Sequence, residues 1–126
     1  MFDEKMQIEY WRSMSVEDLE TAEILFEKKK YKECLFFCHL SIEKILKAHF
    51  CKTQKKEAIK THNLLYLQKI SNIEMSSNQL NHLTLLMRYQ LEGRYPEYKP
   101  DIPEPDDCKL FIKKSKELLK WLIEKL

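Results

Sequence analysis

Glycine and proline are scarce over most of this sequence. Gly93 is the single glycine in 126 residues, and the four prolines fall within ten residues of one another, at Pro96, Pro100, Pro103 and Pro105. A glycine content this low excludes the glycine-rich loops that hold phosphate in P-loop and Rossmann proteins. Because sheet proteins need turn residues at short intervals, the sequence predicts an all-α protein with one irregular segment.

Long apolar runs and a large excess of one charge are also absent. Lys and Arg total 22 against 20 for Asp and Glu, a net charge of +2. No stretch approaches the roughly 20 apolar residues that a membrane-spanning helix needs, and the acidic residues Asp3 and Glu4 are atypical of a signal peptide. We therefore expect one domain over residues 1–126, located in the cytoplasm, without membrane contact and without strong non-specific binding to nucleic acid.

The four cysteines form no CxxC pair. Cys34, Cys38 and His39 are close enough in sequence to suggest zinc, but on a helix His39 points about 100° away from Cys38, and no fourth ligand is nearby. Cys51 is expected near a helix C-terminus, where the helix dipole disfavours a thiolate. We therefore expect the cysteines to pack in the core, and we expect neither a metal nor a cofactor.

Apolar residues recur at helical spacing in five segments. The pattern predicts five helices, which cover about residues 3–28, 31–50, 61–70, 78–89 and 106–126, with residue 7 as the alternative start of the first and residue 62 as that of the third. The first two should pack antiparallel because their connection is short. Ser15 and Asp18 have the spacing of a capping box and predict a break near Met14. Either Ser76 or Ser77 is expected to cap the fourth helix. Residues 52–60, which carry an excess of positive charge, are expected to form an exposed, mobile loop.

The best functional signal from the residues alone lies after the fourth helix. Arg88 and Arg94 flank the junction with the proline-containing segment, and three tyrosines are interleaved with them at Tyr89, Tyr95 and Tyr98. Guanidinium groups suit phosphate, and aromatic rings suit a stacked base. The same residues are equally compatible with a structural role, in which the tyrosines fix the loop and Arg94 pairs with a neighbouring glutamate.

Several sequence pieces then occur in a characteristic order. A helix containing Trp11 continues into Asp18-Leu19-x-x-Ala22, residues 35–48 read LFFCHLSIEKILKA, residues 61–64 read THNL, and residues 94–96 read RYP. In this order and at these separations they resemble the HEPN domain, the higher-eukaryote and prokaryote nucleotide-binding family, over nearly the whole chain. The resemblance implies an up-and-down four- to five-helix bundle, commonly a homodimer and often encoded beside a small nucleotidyltransferase in toxin–antitoxin-like pairs.

Many members of that family are metal-independent ribonucleases marked by an Arg, four to six further residues and then a His. No arginine of this sequence has that partner: the positions after Arg88 hold Gly93, Arg94 and Tyr95, and Arg12 and Arg94 fail in the same way. The sequence instead resembles the branch marked by Arg-Tyr-Pro. The resemblance therefore implies a non-catalytic module that binds a nucleotide or a protein partner.

Carried over to this sequence, the resemblance places Arg94 and Tyr95 in a polar cleft near Glu43, Lys47 and His62. Arg88 is a further candidate for phosphate. Simpler roles remain open: Glu43 and Lys47 have the spacing of a surface ion pair, and His62 has the position of a helix cap. The alternative function is a ribonuclease toxin whose chemistry has moved to His62 or His82, with an arginine holding the phosphate.

Overall fold

The computed structural model describes residues 1–90 and 104–126, and these residues form five α-helices and no strand. The helices are α1 (Glu4–Glu27), α2 (Tyr31–Gln54), α3 (Leu64–Ile70), α4 (Ser77–Met87) and α5 (Pro105–Glu124). The predicted all-α helical bundle is confirmed. Three residues connect α1 to α2, so the two longest helices lie side by side.

Polar side chains fix the starts of three helices. The Asp3 carboxylate accepts a hydrogen bond from the backbone N–H of Met6 at α1, and the Asn63 side chain accepts one from the backbone N–H of Tyr66 at α3. At α4, Ser76 and Gln79 form a complete capping box. Each cap satisfies an N–H group that the helix itself leaves without a partner. Of the two serines proposed for α4, Ser76 is therefore the cap.

The predicted break near Met14 is wrong, because α1 is continuous from Glu4 to Glu27. Ser15 is fully buried against α2, and its hydroxyl donates to the Arg12 carbonyl at 2.6 Å instead of capping a new helix. Asp18 pairs with Lys44 of α2 at 2.6 Å. Both residues of the expected capping box therefore serve the contact between α1 and α2.

The central element is α2, which contacts each of the other four helices. Several of its apolar residues, including Ile42, Ile45 and Leu46, are completely buried. The four cysteines are buried thiols, as expected. Burial raises the pKa of Cys51, which argues against a reactive thiolate there. The core of the bundle is thus built around one helix.

Helix α2 also extends beyond its predicted end. Its last residue is Gln54, so the first residues of the expected loop 52–60 are helical. The Lys52 ammonium donates to the Leu126 carbonyl, and the Gln54 amide donates to the Ile70 carbonyl at 2.7 Å. These bonds to the ends of neighbouring elements stabilise a final turn that lacks apolar periodicity.

In the described parts of the chain, three connections contain a non-glycine residue in the left-handed region of backbone space. Lys29, Lys55 and Asn72 have φ values of 61°, 57° and 56°. Glycine is usual at such helix ends because a Cβ atom is crowded there. The scarcity of glycine therefore leaves these connections with a conformational cost.

Within residues 1–90 and 104–126, no helix is both long enough and apolar enough to cross a membrane.

Candidate functional site

Four charged or titratable side chains meet beside α2, and we call them the Glu43 cluster: His39, Glu43, Lys47 and His62. The first three lie on one face of α2 because they are spaced by four residues. His62 lies in the segment before α3. Its Nδ1 is 2.8 Å from Glu43 Oε1, His39 Nε2 is 3.1 Å from the same oxygen, and Lys47 Nζ is 3.1 Å from Oε2. One carboxylate thus connects three nitrogen-bearing groups.

The histidine at the deepest position is held from both sides. His39 is fully buried, and its second ring nitrogen, Nδ1, lies 3.2 Å from the Leu86 carbonyl in the last turn of α4. A carbonyl oxygen only accepts hydrogen bonds, so Nδ1 carries the hydrogen of this contact. The His39 ring is therefore fixed in position between α2 and α4.

The lysine is also restrained, by an aromatic ring of α1. Lys47 Nζ lies 5.3 Å from the centre of the Trp11 ring, within the range of a cation–π interaction. The buried indole N–H of Trp11 has no hydrogen-bond acceptor among residues 1–90 and 104–126. An unsatisfied buried donor is uncommon in folded proteins, and this one lies beside a held ammonium group.

Glu43 remains a carboxylate despite its burial. Burial alone would raise the pKa of Glu43, but hydrogen bonds from His39 and His62 and the positive charge of Lys47 outweigh that effect and lower the pKa to about 2. The Glu43–Lys47 pair is almost wholly buried, so the simpler interpretation as a surface ion pair is wrong. Glu43 therefore remains charged inside the bundle, where it faces the ammonium group of Lys47.

His62 connects this buried charge to the surface. Its side chain is 40 % exposed, whereas that of Glu43 is 4 % exposed. The interpretation of His62 as a helix cap is wrong, because the adjacent Asn63 caps α3. The imidazole is oriented instead by Glu43, the arrangement in which a carboxylate positions a catalytic or ligand-binding histidine.

The structure brings together three of the residues that the resemblance placed in one cleft, namely Glu43, Lys47 and His62. Arg94 and Tyr95 lie outside the described residues. Arg88 is exposed at the end of α4, two residues beyond Leu86, whose carbonyl contacts the cluster. His39 was not among the predicted site residues, although its four-residue spacing from Glu43 places the two side chains on one helix face.

The other two histidines have contacts that join helices. His49 Nε2 lies 2.7 Å from the Leu122 carbonyl of α5, and His82 Nε2 lies 2.9 Å from the Ser115 hydroxyl. Burial and the nearby charge of Lys114 lower the pKa of His82 to about 4. His82 is therefore a neutral, buried side chain at the contact between α4 and α5.

An open groove of about 570 Å³ runs between α4 and α5 and is lined in part by His82, Leu85 and Trp121. It lies away from the Glu43 cluster. Its charged lining residues, Lys114 and Glu117, are exposed and typical of a hydrated surface. We place the candidate site at the Glu43 cluster because buried, oriented charges are more characteristic of function than an open groove.

Comparison with known proteins agrees with this architecture. The family model of the HEPN domain matches residues 8–126. A search of curated proteins finds no significant match. Two solved structures are similar. TT1696 from Thermus thermophilus has a TM-score of 0.79 and 17 % identity, and the match covers 95 % of this chain and 98 % of that one. ST0689, an archaeal HEPN homologue, has a TM-score of 0.72 and 22 % identity, and the match covers 94 % of this chain and 96 % of that one. At these identities the two structures establish the fold alone.

Proposed function

This chain belongs to the HEPN domain family, and from that premise we propose that it is a non-catalytic module that binds a nucleotide or a protein partner. In this proposal it acts as a homodimer, together with a small nucleotidyltransferase in a toxin–antitoxin-like pair. The Glu43 cluster is the observation that carries the proposal, since it holds a lysine and a histidine in fixed positions within the bundle.

The chemistry of the cluster favours a ligand with anionic oxygens. Lys47 supplies a positive charge, and the Trp11 indole supplies a hydrogen-bond donor without an acceptor in the described parts of the chain. Phosphate oxygens suit both groups. In the proposed complex, Lys47 and Arg94 neutralise phosphate, and Tyr95 packs against the base. Glu43 positions Lys47 and His62 without touching the nucleotide.

Arg88 would extend the phosphate site from the end of α4. It follows Leu86 by two residues, and the Leu86 carbonyl already contacts His39 of the cluster. Arginine suits this role because its planar guanidinium presents several donors to phosphate.

Calorimetric titration with a panel of nucleoside mono-, di- and triphosphates, carried out in EDTA, tests the proposal. We expect saturable binding that Arg94→Ala weakens by about tenfold or more, as expected for one charge-assisted hydrogen bond. Arg12→Ala is the matched control, because that guanidinium is already paired with Glu9. Equal affinity of Arg94→Ala and the unmodified chain would remove Arg94 from the site.

The same proposal makes two predictions about assembly. Light scattering at micromolar concentration should give the mass of a dimer, and a nucleotidyltransferase encoded beside the gene should co-elute when the two are co-expressed. A monomer would contradict the proposed homodimer.

One observation favours a second candidate function, cleavage of RNA. The 2.8 Å contact between Glu43 Oε1 and His62 Nδ1 resembles the pairing of a carboxylate with a general base. Cleavage of a labelled single-stranded RNA that His62→Ala abolishes while the helices are retained would replace the binding proposal with this one. His82 is a poor candidate for the same role because it is buried between α4 and α5.

A further inference from the structure

Three side chains of the Glu43 cluster each bring one possible metal-ligand atom close to the other two. His39 Nε2, Glu43 Oε1 and His62 Nδ1 all lie within 4.8 Å of one another. The two histidine nitrogens are 3.1 and 2.8 Å from the carboxylate oxygen. Zinc bonds of about 2.0–2.2 Å in a tetrahedral arrangement place neighbouring ligand atoms roughly 3.4 Å apart. A small adjustment of the side chains would give this spacing.

The orientation of His39 fits a metal ligand. Its Nδ1–H faces the Leu86 carbonyl, so Nε2 is the ring nitrogen left to face Glu43 Oε1, and a metal ion there would take the place of the hydrogen between these two atoms. Histidine ligands of metals commonly donate their other ring N–H to a backbone carbonyl, as His39 does.

The chemistry of the donor set selects the kind of ion. Two imidazole nitrogens and one carboxylate oxygen are a known ligand set of zinc with one position left open. Magnesium and calcium prefer more oxygen ligands than these three residues supply. Lys47 contacts Glu43 Oε2, which leaves Oε1 to face the two histidines.

We propose that His39, Glu43 and His62 form a binding site for Zn²⁺ or a similar divalent transition metal, with one coordination position open. Access is from the His62 side, since His39 is fully buried and the His62 side chain is 40 % exposed. No metal was expected from the sequence, where His39 was weighed only with the cysteines, whereas the other two proposed ligands lie on the next turn of α2 and in the segment before α3. The metal site shares Glu43 and His62 with the proposed nucleotide site, so the two kinds of binding are measured separately.

The test uses the full chain after treatment with EDTA and dialysis. Zn²⁺ is titrated by calorimetry, and Co²⁺ is titrated by its visible absorption, which reports the ligand field. We expect one ion per chain with a Kd in the micromolar range or below. His62→Asn should weaken binding by about 100-fold, because one of three ligands is lost. The partly exposed position of His62 makes this variant the least disruptive of the three.

Two controls make the result decisive. His82→Gln removes an imidazole outside the cluster and should bind Zn²⁺ as the unmodified chain does. Circular dichroism shows whether His62→Asn keeps its helices. His62→Cys supplies another zinc ligand and should therefore restore part of the affinity if the ion binds at position 62. The proposal is overturned if no binding is seen at about millimolar Zn²⁺, or if His62→Asn binds as tightly as the unmodified chain. Nucleotide binding in EDTA is read separately, so either result can fail without the other.

Discussion

Acid should destabilise this protein through His82, and the variant His82→Gln should remove that part of the effect. Burial and the charge of Lys114 lower the pKa of His82 from 6.5 to about 4. Between these values the unfolded chain takes up a proton that the folded chain does not. Stability linked to His82 is therefore complete above about pH 6.5 and is lost as pH falls towards 4.

The size of the effect follows from the two pKa values. Between about pH 7 and pH 5, linkage gives a loss of about 2 kcal/mol in the free energy of unfolding for this one group. His49 contributes with the same sign, since burial also lowers its pKa. The pKa of Glu43 is lowered from 4.5 to about 2 in the folded chain, so the stability linked to Glu43 is lost mainly below pH 4.5. A comparison with His82→Gln cancels these other groups.

Urea unfolding at both pH values, for the unmodified chain and for His82→Gln, measures the effect. Gln keeps a polar nitrogen near the Ser115 hydroxyl, which His82 contacts at 2.9 Å. The unmodified chain should lose about 2 kcal/mol more than the variant on going from about pH 7 to about pH 5. Equal losses in the two proteins would refute the assignment of a neutral, buried His82.

Three further predictions concern stability and are measured by urea unfolding at neutral pH. Glu43→Gln leaves the buried His39 and Lys47 without a negative partner and should cost about 3 kcal/mol, whereas Glu23→Gln, in an exposed pair, should change little. Ser76→Ala removes the α4 cap and should cost about 1 kcal/mol; an equal cost for Ser77→Ala would contradict that assignment. Lys29→Gly should stabilise the chain by about 1 kcal/mol, because its φ of 61° favours glycine, and a loss of stability would show that the turn is not strained.

The helical class could be predicted because it depends on composition. One glycine and a single group of prolines leave long uninterrupted segments, and these became α1, α2 and α5. The errors arose where tertiary contacts override a local signal. Ser15 has the sequence context of a cap but is buried against α2, and the last turn of α2 is stabilised by bonds from Lys52 and Gln54 to distant carbonyls.

The candidate site could be predicted only in part. The resemblance predicted that Glu43, Lys47 and His62 lie in one cleft. Residue spacing alone, however, predicts an exposed ion pair of Glu43 and Lys47. Their burial depends on Trp11 of α1 and on the segment before α3, which no local pattern relates to α2. The role of His39 likewise depends on the Leu86 carbonyl, 47 residues away in sequence.

The central position of α2 has a consequence for motion. A helix in contact with all four others opens only when most of the bundle opens, so its backbone amides around Glu43 should be among the slowest to exchange with deuterium. A ligand would then meet side chains already in place, with little rearrangement of the backbone on binding. Adaptation to different ligands would have to come from the segments that surround α2.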